Sequence, residues 1–405
     1  MNIAASLMVD APALLTACPS CGGGALVQIY AQDDVPVSSC LLFDDTEAAR
    51  GVERGDIRLA HCEDCGFIFN AAIRQGASEY SERYEETQGF SPTFSSFHKA
   101  LADELIQRHD LRGREVLEIG CGKGEFLLLL SQLGGNRCTG IDPSAHPQRI
   151  SDVEGAERVT LVPEFFSPDL ARQHFDAIIC KMTLEHIVPT LDFLRVVRAG
   201  IVEGSRPLVF FQIPNALRIL QDAAYEDIYY EHCSYFTAGS LVRLFERAGF
   251  APLRVLHQYD DQYLTIEATV GGAPPIDLSE DRAEVARLAA SLADRVAAKQ
   301  ADWAQRIAAA VQSGRKVAIW GSGSKAVSFL AALPSPEHVS AVVDINPNRQ
   351  GHAMPGTGHA IVAPAALADI RPDLVIVMNA IYRDEIAHDL ADLGVHADIA
   401  ALEGE

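Results

Sequence analysis

No stretch of about 18 uninterrupted apolar residues occurs in this 405-residue chain, so a membrane-spanning helix is not expected. The opening MNIAASLMVDAPALLTA is apolar but has no basic segment and meets Asp10 and Pro12 early, which argues against a signal peptide. Basic residues are scarce: 33 Lys and Arg stand against 55 Asp and Glu, a formal net charge of −22. Such a chain is not built for broad contact with nucleic-acid backbones or anionic lipid, although a few local donors suffice for a small anionic substrate. Internal repeats and low-complexity tracts are also missing. Without a secretion signal, the nine cysteines read as thiols and metal ligands and not as a disulfide framework, and the expected compartment is the cytoplasm.

What is present is ordinary globular material, 48% hydrophobic and 22% charged, enough for two to four domains. Three blocks are expected: a metal-binding block over residues 1–77, an α/β block over 78–275 and a second, smaller α/β block over 276–405. The middle block opens with a helical segment, Pro92–His109. It then alternates helical patterns with strand candidates at Glu115–Ile119, Arg137–Ile141, Val159–Val162, Ala177–Cys180 and Pro207–Gln212. This alternation indicates a parallel sheet with helices on both faces. A polar, Ala-rich segment, Ser279–Ser313, reads as one long helix connecting domains. The last block offers strands at Lys316–Trp320, Val339–Val343 and Leu374–Met378.

Two chelating knuckles, Cys18-Pro-Ser-Cys21 and Cys62-Glu-Asp-Cys65, lie about 40 residues apart, each followed by glycine. A Cys-x-x-Cys turn sets two thiolates on one tetrahedral edge, and four thiolates close a structural zinc site with no open position. A redox dithiol is the alternative. Cys40, between the pairs, reads as a buried thiol.

The strongest local signal is Val116-Leu-Glu-Ile-Gly-Cys-Gly-Lys-Gly124, a buried strand ending in Glu118 and a glycine turn that leads into an apolar helix. Gly120, Gly122 and Gly124 let the backbone pass close to a ligand, with Cys121 between them. A dinucleotide site uses a related turn. The order here resembles motif I of class I methyltransferases, whose loop packs on the amino-acid part of S-adenosylmethionine. The second strand ends at Asp142-Pro143, and Asp142 is suited to accept from both ribose hydroxyls. Glu164 and Phe165, after the third strand, are candidates for the adenine side, or a surface carboxylate and a core aromatic.

Ile228-Tyr-Tyr-Glu-His-Cys-Ser-Tyr-Phe236 gathers phenols, a carboxylate and an imidazole. Histidine is the side chain suited to removing an acidic C–H proton near neutral pH; a plain hydrogen-bond network is the other reading. The chain resembles the NDP-hexose C-methyltransferases that modify deoxysugars in natural-product pathways. These join an N-terminal zinc-binding domain, a class I Rossmann-like methyltransferase domain and a C-terminal Rossmann-like domain, in the order found here. The resemblance implies that His232 is the general base and that Tyr229 and Glu231 position the hexulose, with a further tyrosine matching Tyr80 or Tyr84. It also places Lys181 and His186 beside the substrate, a sugar nucleotide. Three departures bear on the acceptor: Tyr230 replaces the first histidine of the family motif, Met182 stands where an amide is expected, and a Pro-Leu-Ala-type stretch between the cysteine pairs is missing.

In the last block, Gly321-Ser-Gly-Ser-Lys-Ala326 follows a strand and Asp344 ends the next, a pattern that suggests NAD binding. Lys325 inside the turn and the stretches Asp344–Gly351 and Pro355–Thr357 match the sugar methyltransferases instead. There this domain helps hold the nucleotide, which implies roles for Lys325, Asn379 and Tyr382. A purely stabilising fold is the alternative. An O- or N-methyltransferase, a non-catalytic cofactor-binding assembly protein and an NAD(P) oxidoreductase remain the competing functions.

Overall fold

The computed structural model describes residues 14–74, 76, 77, 83–171, 173–272, 276 and 282–402. Tyr80 and the opening segment lie outside these residues. The N-terminal block is a sheet, which its sequence pattern did not announce. Leu26–Pro36 (β1) pairs antiparallel with Arg54–Cys62 (β2), and β2 with Ile68–Asn70 (β3). β1 has register shifts between Gln28 and Tyr30 and between Gln32 and Val35. Each shift breaks the period-two alternation by which a strand is read from sequence.

In the middle block, strands form on the expected apolar runs: Glu115–Ile119 (β4), Arg137–Ile141 (β5), Val159–Val162 (β6), Ala177–Lys181 (β7) and Leu208–Pro214 (β8). These five are parallel. Ser234–Tyr235 (β9) leaves the block to pair with β3. Ala251–Gln258 (β10) and Tyr263–Thr269 (β11) form a hairpin, and β11 runs antiparallel to β8. The sheet order is β10-β11-β8-β7-β4-β5-β6. The winding direction therefore reverses between β4 and β7, and the crevice at the carboxyl ends of these strands is where such sheets bind ligands. Successive side chains of β4 feed opposite layers: Val116 packs with Leu105 and Leu130, while Leu117 and Ile119 pack with Phe211 and Leu241.

The last block has Val317–Trp320 (β12), Val339–Val343 (β13), Ile361–Val362 (β14), Leu374–Val377 (β15) and Asp398–Ala401 (β16), all parallel in the order β14-β13-β12-β15-β16. The single helix expected over 279–313 is instead two, Arg282–Ala290 and Leu292–Gln312, broken at Ser291. The longer one is partly buried. Leu292, Val296, Trp303 and Ile307 recur at helical spacing and enter a core shared with Ile57 of β2, Tyr225 of the middle block and Phe329 of the last block. All three blocks thus share apolar burial. No helix among the described residues is long and apolar enough to cross a membrane.

Candidate active site

The glycine turn sits in the crevice by necessity of backbone shape. Gly120, Gly122 and Gly124 have φ of +70°, +52° and +83°, left-handed values that side chains resist. At Gly120 a Cβ would also lie 2.0 Å from Thr183 Oγ1. Asp142 fixes the turn: its carboxylate accepts from the Gly122 N–H at 2.9 Å and from the Ser144 N–H and hydroxyl, each at 2.7 Å. Glu118 is buried at the end of β4 with Oε2 unpartnered, and burial pushes its carboxyl up to about 7. Cys121 is buried and Pro143 half-buried. Glu164 and Phe165 are exposed, Phe165 by 71%, so the reading of Phe165 as a core aromatic is corrected.

At the end of β7, Lys181 lies 3.1 Å from His98 Nε2 and 3.9 Å above the Phe126 ring. Burial lowers its ammonium to about 8, with Glu118 opposing that shift. Met182 follows with φ +50°, an uncommon backbone for a non-glycine residue, packed with Phe94, Tyr259 and Tyr263.

The His232 segment is held from every block. β9 is hydrogen-bonded to β3, and the Asn70 N–H donates to the Cys233 carbonyl at 2.9 Å. The Ser328 hydroxyl, on the helix Ser324–Ala332, donates to the Ile228 carbonyl at 2.9 Å. Within the segment, Tyr229 Oη meets His232 Nε2 at 2.5 Å, and the His186 and His232 rings lie 5.0 Å apart. Glu231 Oε2 accepts from the Ser39 N–H at 2.8 Å and from the Ser39 hydroxyl, which in turn meets Ser324 Oγ at 2.8 Å. The Tyr84 side chain also hydrogen-bonds Glu231, which brings this tyrosine to the cluster. Burial raises the Glu231 carboxyl to about 7 and holds the His232 imidazolium well below its usual range. Cys40 is buried as expected, with its sulfur 3.4 Å from Ser324 Oγ.

Tyr230 does not join this cluster. Its hydroxyl accepts from the Arg74 N–H at 2.9 Å, and its ring lies against Gly55, where a Cβ would come within 2.4 Å. Lys325 Nζ donates to Asp227 Oδ2 at 2.7 Å. Asn379 exchanges two hydrogen bonds with the Gln262 amide, at 2.7 and 3.1 Å, and Tyr382 Oη meets Tyr259 Oη at 2.9 Å. These three line the seam between the middle and last blocks. Ser39 and Ser324 are additions that local motifs could not announce, because each acquires its partner only across blocks.

The four knuckle cysteines converge. Cys18 and Cys65 sulfurs are 3.7 Å apart, and Cys21 and Cys62 sulfurs 3.6 Å. Four sulfurs at about 2.3 Å around a tetrahedral ion stand about 3.8 Å from one another. The donor set therefore fits a metal ion.

A family model described as a methyltransferase domain matches residues 94–255, and one described as a C-methyltransferase C-terminal domain matches residues 278–396. The chain is an S-adenosylmethionine-dependent methyltransferase. This methyltransferase is 24% identical over 391 residues to the C-methyltransferase NovU of Streptomyces niveus, covering 91% of this chain and 90% of that protein. It is 30% identical over 116 residues to a ubiquinone biosynthesis O-methyltransferase of Pseudomonas syringae pv. tomato, covering 27% of this chain and 49% of that one. Among solved structures, it aligns with the 1,6-didemethyltoxoflavin-N1-methyltransferase of Burkholderia thailandensis at TM-score 0.35 and 17% identity, over 45% of this chain and 82% of the other. The class I Rossmann-like fold of the methyltransferase follows from the matched domain and the sheet order.

Proposed function

We propose that this enzyme methylates a carbon beside the carbonyl of a keto-sugar nucleotide, with His232 as general base. The observation that carries this reading is the buried His232 beside Tyr229, His186, Glu231 and Tyr84, at a point where all three blocks meet. Full-length similarity to a C-methyltransferase supports the reaction type.

S-adenosylmethionine supplies a methyl group on a sulfonium, and the residues Glu118, Gly120, Cys121, Gly122, Gly124, Asp142 and Pro143 frame its site, with Glu164 and Phe165 toward the adenine. His232 would take the acceptor's α-proton, and the electron pair left on carbon would form the new bond to the methyl carbon as the methyl–sulfonium bond breaks, its electrons staying on sulfur and S-adenosylhomocysteine leaving. Tyr229 orients the imidazole through their hydrogen bond, while Glu231, Tyr84, His186 and Lys181 position the sugar. Lys325, Asn379 and Tyr382, on the seam with the last block, serve the nucleotide. Cys18, Cys21, Cys62 and Cys65 hold a structural zinc ion, the domain divisions are 1–77, 78–275 and 276–405, and the enzyme works in the cytoplasm on a small molecule, with no nucleic-acid or membrane partner.

Deuterium exchange at the acceptor's α-carbon tests the base. Wild-type enzyme is expected to exchange that proton, and His232→Ala to lose both exchange and methyl transfer while keeping donor affinity. Normal exchange in His232→Ala removes His232 from this role. A product whose new methyl sits on oxygen or nitrogen, located by NMR, overturns carbon methylation.

A further inference from the structure

Glu185, His186 and His232 form a second convergence of metal-ligating groups, apart from the four cysteines. One ligand atom from each lies within 4.8 Å of the others. The Glu185 side chain belongs to a residue only 1% exposed, and neither of its carboxylate oxygens has a hydrogen-bond partner. On His232, Nε2 is taken by Tyr229, while Nδ1 is unpartnered and buried. Among the described residues no Lys or Arg forms an ion pair with Glu185. A carboxylate buried in this way is costly unless it carries a proton or faces a cation. Burial does raise its carboxyl, to about 8. Two imidazoles and one carboxylate are the donor set of borderline divalent ions, and hard ions such as Mg2+ prefer oxygen alone.

We propose that Glu185, His186 and His232 bind a borderline divalent cation of the Zn2+, Co2+ or Fe2+ class, entering past the half-buried His186. Binding forms coordinate bonds from one carboxylate oxygen and two imidazole nitrogens, and the proton carried by Glu185 leaves to solvent. The backbone already fixes two of the three ligands: the Cys233 N–H donates to the Glu185 carbonyl at 2.9 Å, tying the strand end of β7 to the His232 segment. A kinetic consequence rests on the base assigned above. A cation that takes a lone pair of His232 disables the base, so the loaded enzyme is inhibited and a chelator restores it.

The test is equilibrium dialysis of the full chain against Co2+, with bound metal counted by mass spectrometry and ligand type read from visible spectra. Wild-type protein is expected to bind one more equivalent than Glu185→Gln or His186→Asn, or to bind it roughly tenfold more tightly or better. The additional equivalent should show bands of nitrogen- and oxygen-ligated Co2+, without sulfur charge transfer. Retained sulfur charge transfer from the four-cysteine site reports that each variant is folded. Equal uptake at equal affinity by wild type and both variants overturns the proposal, as does wild-type Co2+ that is sulfur-ligated alone. Those outcomes leave the base untouched. Loss of proton exchange in metal-free His232→Ala bears on the base and not on the cation site.

Discussion

After β4, the Gly120 N–H donates to the Ile141 carbonyl at 2.8 Å and the Gly122 N–H to Asp142 Oδ2 at 2.9 Å; after β12, the Gly321 N–H donates to the Val343 carbonyl at 2.8 Å and the Ser322 N–H to Asp344 Oδ2 at 2.9 Å. The other oxygen of each aspartate accepts from the N–H two residues on, Ser144 at 2.7 Å and Asn346 at 2.8 Å. The two turns share a frame, and their contents differ. The first is lined by acids: Glu86 Oε1 comes within 2.5 Å of where a Gly122 Cβ would stand, with Glu118 and Asp142 beside it. The second is filled by Arg349, only 4% exposed, whose guanidinium donates to the Ser322 hydroxyl and carbonyl, each at 2.6 Å, and to the Glu85 carbonyl. An acidic pocket suits a sulfonium cofactor, while the second turn is occupied by its own arginine. The two turns therefore differ in side chains and not in backbone.

The largest effect that would separate the two turns is on stability. Arg349→Met leaves Asp344 and the Ser322 carbonyl without their buried partner, at a cost of about 3 kcal/mol. Urea unfolding should show it, with donor affinity measured by calorimetry unchanged. A stable variant would mean that Arg349 is a removable plug and that the second turn is open to ligands.

Next comes Gly120→Ala against Gly321→Ala. At Gly120 the added carbon meets Thr183; at Gly321, where φ is +106°, the nearest atoms are on Met378 at 3.5 Å. We expect the first to weaken S-adenosylmethionine binding by roughly 100-fold, about 2.7 kcal/mol, and the second to leave it within about threefold.

The smallest is a pH effect. Burial raises both Glu86 and Glu118 to about 7. A cationic donor favours their ionised forms, so its affinity should rise with pH up to about 7 and then level off, by up to about tenfold per group. S-adenosylhomocysteine, which lacks the sulfonium charge, should show a shallower rise in the same calorimetric series. Without ligand the sign reverses. Unfolded glutamates titrate near about 4.3, so from there to about 7 the folded chain holds protons that the unfolded chain has lost, and stability falls as pH rises.

The parallel strands and the cofactor turn were legible because they are local: β4 through β8 are short apolar runs, and Gly120 to Gly124 declare a left-handed turn in their residue types. The cysteine knuckles were legible for the same reason. The N-terminal sheet was not, since the bulges of β1 hide its alternation and β3 is completed by a strand from far along the chain. The break between the two Ala-rich helices was not in view, because no glycine or proline announces it at Ser291. At the site, the motif residues were in view. Ser39, Ser324 and Glu185 were not, because nothing next to them in sequence shows that they come to lie against Glu231 and His232. Tyr230 and Met182, odd against the family motif, turn out to occupy packing positions.

The pairing of β9 with β3 has a consequence for synthesis. β1, β2 and β3 are made first, and they present the open edge of β3 until Ser234 and Tyr235 emerge some 165 residues later. For that interval the nascent chain carries an unsatisfied row of backbone donors and acceptors, the kind of edge on which chains aggregate. The strand that finally caps it begins two residues after His232, so closing the first-made sheet also fixes the backbone beside the imidazole. A chain that stalls before that step is left both aggregation-prone and without an ordered His232 segment.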